Sequence, residues 1–578
     1  MKYIYQNIKV LISKQYTLLI IMSSINLVYM HYCIISSNML ELPLDSTSFF
    51  DILLGVVFDT SIIYLFACLL SWGNTKSATA ITFFITSIWA IINIIYSHFF
   101  NNYITLSAIK QSTSILDPLV IKSTINSIEY KNLFFIVFSF IFFLLYRRII
   151  IPPLKKTISS ICLTLLFIIL CDMASHALFC LSEPSFRYLS YYLFRLNSRH
   201  VAEHNALCEP LFTTLHRGNI RMLVSESIDE IQGPKELTND QKEIIYDLIK
   251  RSKDSVIITS KLNVNNIVFI IVESYMSFTS GMKINNKEIT PFLNSLSRDS
   301  TVYYNGHVTP NITLGESSDG QFIYMTGLLP TRSSITISRV RNKVLPGLPK
   351  IISAMNKRSR MIIPTQPTLW NQSVMCQQYG FDHLFSSEDY DNSHRQELND
   401  QEVFELASKI DCKYKHQSFF SVILTVSMHQ PYTDAKDYSF KIKDETISNE
   451  LKNYLNACHY TDKCICEYIN HLKMNNLYDN SLIIITADHH VHSTNFGIDI
   501  TNELPLYIIN GNIDNHIAWH GKCNQLDIYT TLLDLLNIET KWYGLGHSLL
   551  SPHYENSLNN MKWDISDQII QSDFFKNY

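Results

Sequence analysis

Five apolar stretches crowd the first third of this chain: Tyr16–Ile35, Ile52–Trp72, Ala78–Phe100, Leu133–Ile151 and Ile158–Phe179. A helix crosses a bilayer core with about 20 apolar residues, and each stretch approaches or meets that length. The fourth is the shortest and needs Arg147 and Arg148 at its end. A cleaved leader explains one such segment, not five. The expectation is a five-helix transmembrane bundle over residues 1–182. Window hydropathy weighs against the alternative, buried helices of a large soluble protein. Asp59 and Asp172 fall inside the stretches. An intramembrane carboxylate is a functional candidate by default, although the plainer expectation is a position near a helix end or facing other helices.

Loop charge sets the orientation. Lys2, Lys9 and Lys14 at the N-terminus, Lys76 in the second loop, and Arg147, Arg148, Lys155 and Lys156 in the fourth mark those segments as cytoplasmic. The first loop carries Glu41, Asp45 and Asp51 and no cation, while the third mixes Lys110, Lys122 and Lys131 with Asp117 and Glu129. An odd number of spans then places the rest of the chain outside the cytoplasm. The protein is expected in the cytoplasmic (inner) membrane, with an extracytoplasmic or periplasmic C-terminal part. Residues 183–256 read as a juxtamembrane linker. Its mixture of rings and cations from Phe186 to Arg195 suits a helix in the membrane interface, and equally a helix packed on a soluble domain. Thr238–Ser252 reads as a polar surface helix that Thr238 caps together with Gln241.

Over its 578 residues the chain is 47% hydrophobic and only 17% charged, against about 25% charged in ordinary globular proteins. With 32 Tyr and 32 Phe it is too rich in rings for a disordered chain. A net charge of −4 gives no electrostatic case for a nucleic-acid partner. From residue 257 to 578 the pattern changes to short β-branched runs alternating with amphipathic helical stretches. Ile267–Val272, Arg360–Ile363, Phe419–Val426, Leu482–Thr486 and Leu506–Ile509 read as buried strands. Between them, Leu451, Tyr454, Leu455, Cys458, Ile465, Tyr468, Ile469 and Leu472 form one apolar face of a long helix. This alternation implies an α/β domain, a mostly parallel sheet with helices on both faces.

The chemistry-bearing residues follow the strands. The first run ends in Glu273, another leads to Ser427-Met428-His429, and a third to Asp488-His489-His490. Ligand sites of open α/β sheets lie at the carboxyl ends of the strands. Carboxylate and imidazole donors gathered there suit a divalent cation such as Zn²⁺, Mn²⁺ or Mg²⁺. A strand-end Asp taken alone is a common turn residue or helix cap; three strands delivering such groups to one rim point to a metal. Gly315-Glu316-Ser317-Ser318-Asp319-Gly320 precedes an apolar run that reads as a helix. A hydroxyl at a helix N-terminus is well placed for phosphate, and metal coordination makes it a nucleophile; a plain Ser-rich cap is the bland alternative. Ser317 and Ser318 both remain open as that nucleophile.

These residues, in this order, resemble the lipoteichoic acid synthase branch of the alkaline phosphatase/sulfatase superfamily. The likeness rests on Val272-Glu273-Ser274-Tyr275, the Gly315–Gly320 turn, Leu369-Trp370-Asn371-Gln372 with Tyr379-Gly380-Phe381-Asp382, Val426–Tyr432, Leu477–Ser481 with Asp488-His489, and Gln525-Leu526-Asp527-Ile528. The resemblance implies a membrane-anchored transferase that moves phosphoglycerol, or phosphoethanolamine in sister branches, from phospholipid to a glycan or glycolipid acceptor. It implies Glu273, Ser317, Asp488 and His489 as metal ligands and Ser317 as nucleophile. His429 would contact the substrate phosphate or protonate the leaving group, and Trp370, Asn371 and Gln372 would line the headgroup pocket. Three departures stand out: Ser317 replaces the usual Thr, Gln372 replaces an Arg that could clamp phosphate in a bidentate fashion, and His490 and His492 add donors that could serve a second metal. His516 and His520 invite the same thought. The formylglycine motif of sulfatases needs Pro and Arg after the modified residue, and S-S-D-G-Q supplies neither. A phosphodiesterase passing the group to water, and a non-catalytic envelope scaffold, are the competing readings. Cys458 fits a core position among seven cysteines expected outside the membrane.

Overall fold

The computed structural model describes residues 14–37, 46–72, 74–100, 103–110, 132–148, 214, 218–232, 236–251, 262 and 264–576, apart from short gaps at 333, 342, 392–396, 431, 433–441, 443–446, 492–495, 499 and 557. The chain forms two compact units, Met1–Gly233 and Pro234–Tyr578.

In the first unit, Lys14–Ser37, Ser46–Leu70 and Thr75–Phe100 are helices, and each is long and apolar enough to cross a membrane. Leu133–Arg147 is a fourth apolar helix of only 15 residues. Instead of five helices of spanning length, the described residues therefore hold three and a shorter fourth. Ile158–Phe179, Asp172 and the ring-rich segment 186–195 lie outside the described residues. The burial pattern is that of a bundle in lipid. Large apolar side chains such as Phe66, Phe84, Ile88 and Phe140 face outward, while Ala67, Ala78 and Ala90 are buried. Polar groups turn inward: the Asn26 amide donates to Ser87 Oγ at 2.8 Å and to Thr86 Oγ1 at 3.2 Å, and Ser24 donates to Thr60 at 3.1 Å. Asp59 is buried, and its role is visible. It accepts the backbone N–H groups of Asn219 (2.7 Å) and Ile220 (3.1 Å), capping the helix Asn219–Gln232. It faces another helix, as the plainer expectation had it.

The second unit opens with the helix Asn239–Arg251, and the Thr238–Gln241 pair caps it reciprocally at 2.9 and 3.2 Å, as the sequence indicates. The strands are β1 (Asn266–Val272), β2 (Lys283–Ile284), β3 (Lys287–Glu288), β4 (Tyr303–Thr309), β5 (Arg358–Ile362), β6 (His383–Phe385), β7 (Phe419–Leu424), β8 (Ser481–Ala487), β9 (Leu504–Ile509) and β10 (Cys523–Asn524). Eight of them form one sheet in the order β10-β4-β9-β8-β1-β7-β5-β6, and β2–β3 is a separate hairpin. Among the described residues β9 alone runs against the others of the large sheet. Strands β1, β7, β8 and β9 are buried along their whole length, which requires cover on both faces. The long helix is Asn449–Met474, and all eight residues of its expected apolar face, Cys458 included, are buried.

A candidate metal centre at the strand ends

Because β4, β5, β7, β8 and β1 point the same way, the segments leaving them meet on one rim. Glu273 follows β1, Asp488 and His489 follow β8, and these three buried side chains offer ligand atoms that all lie within 4.8 Å of one another. Ser317 arrives from β4 through the turn 310–316 and is the first residue of the helix Ser317–Thr326. Its Oγ donates to Glu273 Oε2 at 3.2 Å and lies 3.0 Å from His489 Nε2. Four groups, far apart in sequence, thus converge. The rival hydroxyl is spoken for: Ser318 Oγ donates to the Gly315 carbonyl at 2.5 Å, away from the cluster.

The turn before Ser317 is held under strain. Glu316 has φ +50°, a sparsely populated backbone for a non-glycine residue. Asp319 braces the loop from inside, accepting from Thr313 N (2.9 Å), Thr313 Oγ1 (2.8 Å) and Gly315 N (3.0 Å). A Cβ on Gly320 would lie 2.4 Å from the Asp488 carbonyl oxygen, so the helix approaches the metal-ligand strand as closely as glycine allows. Gln525 ties the same strand end to the loop. Its amide donates to the Asp488 carbonyl at 2.6 Å, and its Oε1 accepts from Asn311 N at 3.0 Å.

The electrostatics call for a cation. Burial raises Asp488, Glu273 raises it further, and together they push its carboxyl up to about 7. Burial also raises Glu273, but the hydrogen bond and charge of His489 prevail and hold it below the usual carboxylate range. Burial drives Glu316 up to about 8. Without further charge the cluster can keep its carboxylates ionised only by protonating His489, whose own burial opposes that while its acidic neighbours prevail and raise it. A divalent ion resolves the conflict. The imidazole is prepared for it: His489 Nδ1 lies 2.7 Å from the His490 carbonyl, so Nδ1 carries the proton and Nε2 presents its lone pair to the cluster. The donor set of two carboxylates, one imidazole and one hydroxyl fits Zn²⁺, Mn²⁺ or a similar ion.

The other expected residues are placed less centrally. His429 is exposed, and its Nδ1 bonds the Gln430 carbonyl at 2.8 Å, leaving Nε2 outward. Its charge helps hold Glu273 down. Asp400 fixes this segment, accepting from Val426 N (2.8 Å), Ser427 N (2.9 Å) and Thr461 Oγ1 (2.6 Å). Trp370 and Asn371 are half-buried with φ of +50° and +53°, in the loop after β5. Gln372 is buried at the start of the helix Gln372–Tyr379, and its Oε1 meets no hydrogen-bond partner among the described residues. His490 is half-buried beside the cluster, and desolvation lowers it to about 4. His492 lies outside the described residues. His520 bonds two backbone carbonyls, of Tyr304 (2.8 Å) and Asn515 (3.0 Å). Among the described residues Glu273, Asp488 and His489 form the one group of three or more His, Cys, Asp or Glu side chains able to share an ion.

Residues 265–538 match the family described as Sulfatase. The chain carries a sulfatase-family domain. Its relatives include lipoteichoic acid synthase 2 of Bacillus subtilis, 25% identical over 83% of this chain and 75% of that one. Lipoteichoic acid synthase of Staphylococcus aureus is 30% identical over 48% of this chain, a match spanning 46% of its own length. Among solved structures, the lipoteichoic acid synthase LtaP of Listeria monocytogenes aligns over 53% of this chain and 81% of its own, with 20% identity and a TM-score of 0.44. The sulfatase-family domain covers every strand from β1 to β10 and so contains the whole candidate metal centre. The sequence alone assigns no role to Ser274, Asp319, Asp400 or Gln525. Ser274, Asp319 and Gln525 lie within the motifs above; Asp400 gives no signal beyond that of an acidic residue in a first helical turn.

Proposed function

We propose that this chain is a membrane-anchored, metal-dependent phospho-headgroup transferase, taking phosphoglycerol or a related headgroup such as phosphoethanolamine from phospholipid and passing it to an envelope glycan or glycolipid. One observation carries the reading: the Ser317 hydroxyl stands at a helix N-terminus, 3.0 Å from His489 Nε2 and 3.2 Å from Glu273 Oε2. The kinship with lipoteichoic acid synthases supports it. In this proposal Glu273, Asp488, His489 and Ser317 hold one divalent ion. Bound there, the ion supplies Lewis acidity, lowering the pKa of the Ser317 hydroxyl and offsetting phosphate charge.

Ser317 Oγ, deprotonated to solvent before the first cycle and regenerated as the alkoxide at the end of each, attacks the headgroup phosphorus. The new Oγ–P bond replaces the bond to diacylglycerol, whose oxygen takes a proton from His429 Nε2. Backbone N–H groups at the start of the helix Ser317–Thr326 face the phosphate oxygens. An acceptor hydroxyl then displaces Ser317 and returns a proton to His429, giving ping-pong kinetics. Trp370, Asn371 and Gln372 are proposed to line the headgroup side. The catalytic domain is proposed to be extracytoplasmic, where this lipid and its acceptor meet. Sulfate-ester chemistry is disfavoured by the lack of Pro and Arg after Ser317.

The test is mass spectrometry of the full-length protein after incubation with phospholipid vesicles and Mn²⁺. A headgroup-phosphate adduct on Ser317 is expected, and its mass names the headgroup. Ser317→Ala is expected to lose both adduct and transfer. An adduct on Ser318, or full transfer by Ser317→Ala, refutes the assignment. Product formed equally without a glycan acceptor favours the hydrolase.

A further inference from the structure

Resting on the metal-centre reading, we infer that Ser274 is a positioning residue that aims both metal-binding carboxylates, and that its strained backbone is retained for this purpose. Ser274 follows Glu273 with φ +49°, a conformation that a serine in a buried loop adopts only at a cost. It makes three polar contacts there. Its Oγ donates to Glu273 Oε1 at 2.8 Å, its N–H donates to Asp488 Oδ1 at 2.9 Å, and its carbonyl accepts from the Tyr454 hydroxyl at 2.9 Å. Tyr454 is itself buried and accepts from Met276 N at 3.1 Å, so the turn is pinned from the long helix as well as from the sheet.

Ser274 thus holds one oxygen of each carboxylate, and the Glu273 oxygen it holds, Oε1, also lies 3.5 Å from His489 Nε2. Glu273 uses Oε1 for Ser274 and Oε2 for Ser317. Asp488 uses Oδ1 for the N–H groups of Ser274 and His489, while Oδ2 lies 3.7 Å from His489 Nε2. A relaxed φ at residue 274 would swing the N–H away from Asp488 or the hydroxyl away from Glu273. Strands β1 and β8 set how far apart these ligands are; Ser274 sets how they are rotated. Outer hydrogen bonds of this kind typically carry about 10- to 100-fold in metal affinity.

Calorimetric titration of the full-length protein in detergent, after chelation, with Mn²⁺ and separately with Zn²⁺, tests this on the wild type, Ser274→Gly and Ser274→Ala. Ser274→Gly removes the hydroxyl but keeps the N–H and accepts a positive φ; Ser274→Ala removes the hydroxyl and keeps the strain. Both variants are expected to bind metal about 10- to 100-fold more weakly. The metal-free Tm of Ser274→Gly is expected at or above that of Ser274→Ala. A Ser274→Gly protein with wild-type affinity for both ions overturns the inference alone. A metal-free Tm for Ser274→Gly below that of Ser274→Ala also overturns it, because the residue would then serve folding rather than aim. A wild type that binds neither ion removes the metal-centre reading itself, and this inference with it.

Discussion

A single missing side chain governs how closely the Ser317 helix and the Asp488–His489 segment approach. At Gly320 the helix Ser317–Thr326 lies against the Asp488 backbone, and a Cβ would stand 2.4 Å from that carbonyl. Backbone cannot retreat as a flexible side chain can, so Gly320→Ala must push the helix away from the strand end. Overpacking of this sort costs about 1–3 kcal/mol. The helix carries Ser317 and the strand end leads to Asp488 and His489, so the expected outcome is a lower Tm together with a loss of transfer larger than the loss of folded protein explains. Differential scanning calorimetry alongside a vesicle transfer assay checks it, and a variant with reduced Tm but wild-type specific activity contradicts it. Asp319 belongs to the same scale. Burial raises its carboxyl, against four hydrogen bonds that lower it, so the brace on the nucleophile turn is a carboxylate kept dry by its own loop.

Elements are locked to one another by buried polar ties as well as by apolar faces. Arg360 on β5 forms an ion pair with Asp411 on the helix Asp400–Lys413, and both are almost fully buried. The Tyr468 hydroxyl from the long helix donates to the second Asp411 oxygen at 2.8 Å, and the Arg360 guanidinium lies 3.9 Å from the centre of the Phe419 ring. Removing one partner strands a charge in the interior, at about 3–5 kcal/mol, whereas replacing both with apolar groups is often neutral. Arg360→Met and Asp411→Leu are therefore each expected to destabilise strongly, and the double variant less than either. Urea denaturation of all four proteins measures this, and additive losses would contradict it. The same elements show what sequence can and cannot disclose. The long helix was legible because its eight apolar residues repeat at helical spacing. Strands β1, β7 and β8 were legible as unbroken apolar runs, and with them Glu273, His429, Asp488 and His489. Strand β4, YYNGHVT, was not, because it sits near the sheet edge and a register shift between Asn305 and Val308 breaks its alternation, leaving Tyr303, Asn305 and Val308 as its buried residues. Short strands β6 and β10 offer too few residues for any period. Ser274, Asp400 and Gln525 each tie together segments 26 to 214 residues apart, which no local pattern encodes.

At the scale of the whole chain, hydropathy announced the division of labour before any site was visible. The first unit holds three helices able to cross a bilayer, and the second holds the sheet and the metal centre. Among the described residues the fourth apolar helix, Leu133–Arg147, is shorter than the other three and ends at the paired arginines. The proposed chemistry explains why one polypeptide carries both parts. A phospholipid donor is confined to two dimensions, and an anchored enzyme meets it at a high effective concentration, whereas a freely diffusing domain must find and extract it. Cutting the chain at a protease site inserted between Gly233 and Pro234, where the two units divide, separates these demands. The cleaved catalytic unit is expected to keep its metal affinity and to act on a soluble phosphoglycerol ester as the intact protein does, because Glu273, Ser317, Asp488 and His489 all remain in it. Its transfer from phospholipid in vesicles is expected to fall at least tenfold, the range that effective concentration supplies. Assaying both substrates before and after cleavage gives the answer. Equal loss on both would mean that the first unit supports the active site itself, and no loss on vesicles would mean that the anchor has no part in delivering the donor.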